Sequence, residues 1–465
     1  MRTDLLWFRR DLRLTDHPAL TAAADADRLV CVFVADEALL GSPRMSPARL
    51  VYLRHALADL AANLQARGNR LVIRTGDPAQ VVPALATEVG AAVVHVSADH
   101  TPYATRRDAA VREALDAAGV AFEGHGGIAI APPGSVRTGS GSVYKVVTPF
   151  HRAWRDREHG AVLDAPAELP PDVGGVDGLG VTDIGLMDAD GPPEPWPDGG
   201  ETAARLRLEI WLEEGVEDYA DRRDVMAVDG TSRLSPDFHF GCLSPREVWT
   251  TLDRRGKGPQ IYGSELAWRD FYLHVMAEWP ESAARAFRPE YADLPWIDDD
   301  EAFDAWCEGR TGYPVVDAAM RQLLQMGWMH NRARMIVASF LCKDLLVDWR
   351  RGEAHFLQHL VDGDVPSNNG GWQWAAGTGT DAQPFFRIFN PVTQGKRFDP
   401  DGDYVRRYVP ELATLPAPAI HAPWELSEAR QEEHGVRIGV DYPEPIVDHA
   451  EARQRALSWF EQHKG

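Results

Sequence analysis

At 465 residues the chain is too long for one compact core, so two or three domains are expected. Its composition, 44% hydrophobic and 25% charged, is that of a globular protein and excludes disorder. A net charge of −22 argues against general adhesion to nucleic acid but leaves room for one local basic groove.

The N-terminal "MRTDLLWFRRDLRL" flanks a short apolar run with charges and has no small-residue cleavage site, so no signal peptide is expected. No apolar run is long enough to span a bilayer. Cys31, Cys242, Cys307 and Cys342 form no CxxC pair. That pattern argues against a disulfide framework, a zinc module or a thiolate cluster, and for a cytoplasmic protein without a metal centre. Fifteen tryptophans, most of them after residue 195, form an asymmetry that needs explaining.

In chain order, apolar runs at 4–8, 28–35, 70–75 and 91–98 read as buried strands. Between and after them, 46–68, 77–90 and 104–119 read as helices, with Ser46 and Asp77 as caps and Gly68, Gly90 and Gly119 as stops. This alternation implies an α/β domain over 1–130 with a parallel, doubly wound sheet. A dinucleotide fingerprint would need GxGxxG after the first strand, but the turn there reads "RRDLRL". The glycines of "TGSGSVY" follow no strand and read as a plain turn.

Residues 131–200 are expected to be an interdomain linker, because from Ala165 onward proline, glycine and aspartate dominate and no period survives. From 201 to 465 helical patterns prevail, clearest over Glu201–Glu214, Pro245–Arg254, Ser264–Glu278, Pro314–Met326, Asn331–Val347 and Gly352–Val361. In Pro314–Met326 the apolar face is Val315, Val316, Ala319, Leu323 and Leu324. An all-α domain is expected.

Four stretches could carry chemistry. "DGTSRLSP" (229–236) offers hydroxyls, amides and a guanidinium, which suit either a diphosphate or a helix-capping loop. In "SELAWRDFY", Glu265, Trp268, Arg269 and Tyr272 share one helix face, a poor core stripe but a good cleft wall, unless it is simply solvated. In "GWMHNRARM", Asn331, Arg334 and Met335 share a face, with His330 and Arg332 turned elsewhere. A buried Arg334 needs a partner, which Asp362 or Asp364 could supply. "NNGGWQWAAGTGTD" (368–381) reads as a glycine-rich turn. Extended or helical, its Trp372 and Trp374 cannot share one pocket.

Together "LLWFRRDLRLTDHPAL", "GTSRLSPDFHFGCLSPR", "SELAWRDFYLHVM", "TGYPVVDAAMRQLLQMGWMHNRARM" and "DGDVPSNNGGWQWAAGTGTDAQPFFRIFNPVTQGKRFDP" resemble the DNA photolyase/cryptochrome family, most closely its class I cyclobutane pyrimidine dimer photolyases. The resemblance implies a U-shaped FAD in the helical domain, active in its reduced form. Its diphosphate would lie on Thr231, Ser232, Arg233, Leu234 and Ser235, with Tyr219 closing the site and Arg269 in the wall. Asp362, paired with Arg334, and Asp364 would face the ring and ribose, and Asn368 the ring nitrogen whose protonation sets redox stability.

The family reaction passes one electron from light-excited FAD to a pyrimidine dimer flipped out of DNA, splits the dimer and returns the electron. Glu265 would hydrogen-bond the damaged base, best with a carboxyl pKa raised by burial. Trp268 and Trp374 would sandwich the dimer, and Asn331 and Met335 would line the pocket floor. Arg223, Arg332, Arg387 and Gln394 would meet phosphates, in a positive groove that includes Arg397. Trp372, Trp349 and Trp296 would form an electron chain from flavin to surface.

Asn331 and Met335 stand where (6-4) photolyases place histidines, which favours cyclobutane dimers. A blue-light receptor without repair is the rival reading, but it would lose Glu265, Trp268 or the basic rim. For the antenna pigment, 8-hydroxy-5-deazaflavin is favoured over methenyltetrahydrofolate, because "DHTPYATRRD" lacks the folate-binding glutamate; Asp99 is the candidate contact. A monomer is expected.

Overall fold

The computed structural model describes residues 1–185, 190–194, 196–382 and 384–463. Five strands, β1 (Thr3–Phe8), β2 (Arg28–Ala35), β3 (Leu71–Thr75), β4 (Ala91–Ser97) and β5 (Ala121–His125), form a parallel sheet in the order β3-β2-β1-β4-β5. Every residue of β1 is buried, as a central strand covered by helices on both faces requires. Leu5, Val30, Val32 and Val94 pack in one layer; Leu6, Cys31 and Phe33 pack in the other.

β5 was not expected from the sequence. It is an edge strand in which only Phe122 is buried, so no apolar run marks it. The expected caps are present: Ser46 accepts from the Arg49 amide, Asp77 from the Ala79 amide, and Gly90 closes its helix at φ +61°.

Between the sheet and the helical half, the chain includes a helix at Val147–Arg155 and then runs over the α/β surface. There the Leu169 amide donates to Arg67 O at 2.9 Å, and the Leu179 amide to Ile73 O at 2.9 Å. Leu179 thereby caps the free edge of β3.

The turn after β1 docks the helical half. Leu12 N donates to Phe240 O at 3.1 Å, and Arg13 Nη1 to Gly241 O at 2.9 Å. Leu14 and Thr15 amides donate to the Glu201 carboxylate at 2.7 and 2.9 Å. A Cβ on Gly241 would meet Arg10 O at 2.1 Å, so glycine is required for this approach. "RRDLRL" is therefore an interdomain fastening, which explains why no glycine-rich phosphate turn stands there.

The helical half follows the expected patterns with corrections: the helix from Glu201 ends at Ile210 and widens into a π turn over Trp211–Gly215, and that from Pro245 ends at Thr251. Pro314–Met326 is a helix, but Leu324 on its expected apolar face is 36% exposed. The helix from Asn331 ends at Ser339 and widens into a π turn over Phe340–Asp344, rather than continuing to Val347. Residues 368–376, read as a turn, belong to the helix Val365–Ala376; the turn starts at Gly377, φ +85°. Asp364 caps this helix and Pro366 lies in its first turn, and tertiary packing outweighs the helix cost of Gly370 and Gly371. No helix among the described residues is long and apolar enough to cross a membrane.

Candidate functional site

The first wall of the site is the helix Lys257–Glu278. It carries Glu265, Trp268, Arg269 and Tyr272, and Trp268 lies 5.4 Å from Tyr272, ring to ring. Arg223 Nη1 donates to Glu265 Oε1 at 2.6 Å, and its guanidinium lies over the Tyr219 ring. Burial raises the Glu265 pKa; the Arg223 charge opposes this without cancelling it.

The second wall is the helix Val365–Ala376, locked to the first by one glycine. A Cβ on Gly370 would meet the Tyr272 ring at 2.2 Å. Asn368 and Gly371 are one turn apart on another face. Asn368 Nδ2 donates to Glu353 O at 3.1 Å, which leaves its amide oxygen as the free acceptor among the described residues. At Gly371, among the described residues, no atom beyond its chain neighbours and its own helix backbone lies within 4 Å of a would-be Cβ, so that face is open beside Asn368. Trp372 is buried against Phe356, with ring centroids 5.0 Å apart, whereas Trp374 is half-buried two positions on. The helical step turns the two indoles to different sides.

Carboxylates and arginines organise the far end. Arg334 Nη2 donates to both oxygens of Asp362, at 2.9 and 3.1 Å. Asp364 accepts from the Ser367 hydroxyl at 2.8 Å and pairs with Arg10. Burial alone would raise the Asp364 pKa, but the Arg10 and Arg269 charges, with the Ser367 hydrogen bond, outweigh it and hold the carboxyl well below its usual range. Arg10 also lies 3.6 Å from Asp99, the candidate antenna contact, so one guanidinium bridges the two domains. Arg269 Nη1 donates to Ile128 O at 2.7 Å.

In the loop before the helix Ser235–Phe240, Thr231, Ser232 and Arg233 are half-buried and Leu234 is buried. Arg233 takes a left-handed backbone, φ +51°, and pairs with Asp229 at 2.9 Å. Tyr262 donates to the Ser232 hydroxyl at 3.1 Å, and Tyr219 packs edge-on against Tyr262. Hydroxyls, a guanidinium and aromatic edges thus meet on one rim.

The outer rim holds the other expected residues. Arg332 pairs with Asp224 at 2.9 Å, its guanidinium over one face of Phe398, while Arg397 lies 5.0 Å from the same ring. Asn331 is exposed and Met335 half-buried on the Asn331–Ser339 helix. Arg387 is exposed, and Gln394 is half-buried on the Pro391–Phe398 helix. Neither Arg387 nor Arg397 has a salt bridge among the described residues.

The segments that carry the three tryptophans separated in sequence lie next to one another. A Cβ on Gly352 would meet Trp372 Cη2 at 2.1 Å, so Trp372 lies on the Trp349–His359 helix one turn from Trp349. Trp349 is fully buried. Ile297 N donates to Leu346 O at 2.9 Å, joining the Trp296 segment to the loop that leads into Trp349. The Nε1 atoms of Trp296 and Trp372 are buried without hydrogen-bond partners among the described residues.

Sequence reading missed Arg10, whose partner is 354 positions away, and Asp224, whose adjacency to Arg223 was the available signal. It also missed Trp306, 6.0 Å from Trp372, and Trp459, 5.1 Å from Trp296. No spacing in the chain signals these contacts.

A parallel α/β domain followed by a helical domain, with an open face at Gly371 beside two helices that meet at Gly370 and Tyr272, defines a two-domain fold with a candidate site in its helical half. Residues 4–171 match the model described as DNA photolyase, and residues 262–462 match that described as FAD binding domain of DNA photolyase. The chain is 45% identical to the deoxyribodipyrimidine photo-lyase of Streptomyces griseus over the whole of both chains. It is 43% identical to that of Halobacterium salinarum over 99% of each. Its structure is similar to a class III photolyase from Agrobacterium tumefaciens (TM-score 0.92, 38% identity, covering 100% of this chain and 98% of the other). It is also similar to a Synechocystis cryptochrome (TM-score 0.91, 32% identity, covering 98% and 99%). The chain belongs to the DNA photolyase/cryptochrome family.

Proposed function

We propose that the protein is a light-driven DNA repair enzyme that splits cyclobutane pyrimidine dimers, with FAD bound in its helical domain. The observation that carries this reading is the joining of two helix faces through Tyr272 and Gly370, with Glu265 and Trp268 on one helix and Asn368 and Gly371 on the other. FAD fits the residues present. Gly371 leaves room for a flat ring, and the free Asn368 oxygen can accept a hydrogen from a ring nitrogen. Thr231 to Ser235, with Tyr219, would hold the diphosphate; Arg269, Arg334, Asp362 and Asp364 would orient the ring and ribose.

When bound, FAD supplies the light absorption and the electron. The chain does the rest. Trp268 and Trp374 would stack on the flipped dimer, and Asn331 and Met335 would shape the floor beneath it. Glu265, its pKa raised by burial, would hold a proton and donate it as a hydrogen bond to the damaged base. Arg223, Arg332, Arg387, Gln394 and Arg397 would meet phosphates; Arg223 and Arg332 would trade their carboxylate partners for them. Trp372, Trp349 and Trp296 would carry electrons inward from the surface.

An antenna pigment of the 8-hydroxy-5-deazaflavin type would lie where the strand order reverses between β1 and β4, the usual ligand crevice of such sheets. Asp99 follows β4 there. The proposed protein is a cytoplasmic monomer. The likeness to a cryptochrome supports a second reading, light sensing without repair. Illumination of FAD-loaded protein with an oligonucleotide carrying one thymine dimer separates the two: repair restores intact thymines, and sensing alone leaves them dimerised.

A further inference from the structure

We propose that His95, Glu123 and His125 form a binding site for one zinc-type divalent metal ion on the sheet of the α/β domain. Parallel pairing of β4 and β5 sets His95 opposite Glu123 and Ser97 opposite His125. Glu123 and His125, two positions apart on one strand, therefore point to the same side as His95. Three potential ligand atoms converge there. His95 Nδ1 lies 3.0 Å from His125 Nε2, and Glu123 Oε2 lies 3.7 and 3.9 Å from those two nitrogens.

A tetrahedral ion with bonds of about 2.0–2.2 Å holds its ligand atoms roughly 3.3–3.6 Å apart. The three observed separations bracket that range, so shifts of a few tenths of an ångström close the set onto one ion. Two imidazoles and a carboxylate form a borderline donor set suited to zinc and its first-row neighbours. The expectation of a metal-free chain rested on its scattered cysteines; this set uses none.

The surroundings orient the ligands. His95 Nε2 lies 3.2 Å from Asp4 Oδ2, a fully buried carboxylate that Arg2 Nη2 approaches at 3.1 Å. An anion at Nε2 keeps the proton on that nitrogen and aims the Nδ1 lone pair at Glu123 and His125. Metal-binding histidines are commonly oriented by such a carboxylate. Without an ion, His125 Nε2–H donates to His95 Nδ1. With an ion bound, the His125 proton sits on Nδ1 instead, so neither ring changes charge. The Glu123 side chain is 54% exposed, so an ion enters from the sheet edge and water completes its shell. The bound ion fastens the edge strand β5 to β4, outside the site described above.

The test uses chelator-treated, FAD-loaded full-length protein titrated with zinc by calorimetry, with metal content measured after gel filtration. One zinc per chain is expected, together with a rise in thermal midpoint. Glu123→Gln and His125→Ala should each weaken binding by at least about tenfold, while His125→Cys, which retains a ligand, should keep it. Flavin content should not change in any variant. No saturable binding, or unchanged affinity in Glu123→Gln and His125→Ala, overturns the proposal. If His125→Ala fails to fold, Glu123→Gln, at an exposed carboxylate, decides alone.

Discussion

Arg223 Nη1 donates to Glu265 Oε1 across 2.6 Å, so the guanidinium expected at a DNA phosphate holds the carboxyl expected at the damaged base. Burial raises the Glu265 pKa, and Arg223 is the charge that opposes this most. If phosphate draws Arg223 away, Glu265 loses its counter-charge and takes up a proton. DNA binding would then prepare the hydrogen-bond donor. Glu265→Gln, which keeps an N–H donor, should retain most repair per absorbed photon. Glu265→Ala should lose about 1–3 kcal/mol of dimer binding and several-fold in repair yield, measured with pre-reduced protein. Equal activity in all three proteins would remove Glu265 from the mechanism.

Arg332 and Trp268 should fail differently. Arg332→Ala should weaken damaged and undamaged DNA alike and lower the slope of log K against log salt by about 1. Asp224→Asn frees Arg332 from its 2.9 Å partner and should tighten both. Trp268→Ala should cost about 1–3 kcal/mol on dimer-containing DNA only, because stacking acts on the flipped bases. Fluorescence anisotropy across a salt series distinguishes these outcomes.

Glu353 supplies a pH test of the scaffold behind Asn368. Its Oε1 accepts from Asn369 Nδ2 at 3.0 Å, its backbone oxygen accepts from Asn368, and burial pushes its carboxyl from 4.5 up to about 7. Between those values the folded chain holds a proton that the unfolded chain has released. Stability therefore falls as pH rises through that window, by roughly 3 kcal/mol at most. Glu353→Gln should remove this slope and be the more stable protein at pH 8. Parallel denaturation curves for both proteins from pH 5 to 8 would refute the assignment.

The fold was legible where local chemistry speaks. Central strands announced themselves as apolar runs, and Ser46, Asp77 and Gly90 marked helix ends. β5 was hidden because an edge strand needs only Phe122 buried. The helix through Asn368 was hidden because its glycines serve long-range packing: Gly370 makes room for Tyr272, and that contact cannot be read from either segment alone. The same holds for Arg10 with Asp364, and for the convergence of His95 with Glu123 and His125 across neighbouring strands. Residue types at the site were readable from motifs. The Arg334–Asp362 pair was readable as well, because a buried arginine demands a carboxylate, but most other partners were not, because they depend on how distant segments pack.

Trp372 packs on Gly352, one turn from Trp349, while Trp374 turns elsewhere. Trp372→Phe should block light-driven reduction of oxidised flavin and leave repair by pre-reduced protein largely intact. Absorbance during illumination, followed by a repair assay on chemically reduced protein, reads the two separately. Loss of both would contradict the division of labour between the two indoles.

Blue light on FAD-loaded, reduced protein mixed with an oligonucleotide carrying a single thymine dimer tests dimer repair itself. Chromatography of the digested product should show intact thymines accumulating with light dose, none in the dark, and no net change in flavin redox state. Bound, light-absorbing flavin with no thymine recovered would contradict repair and leave the sensing role.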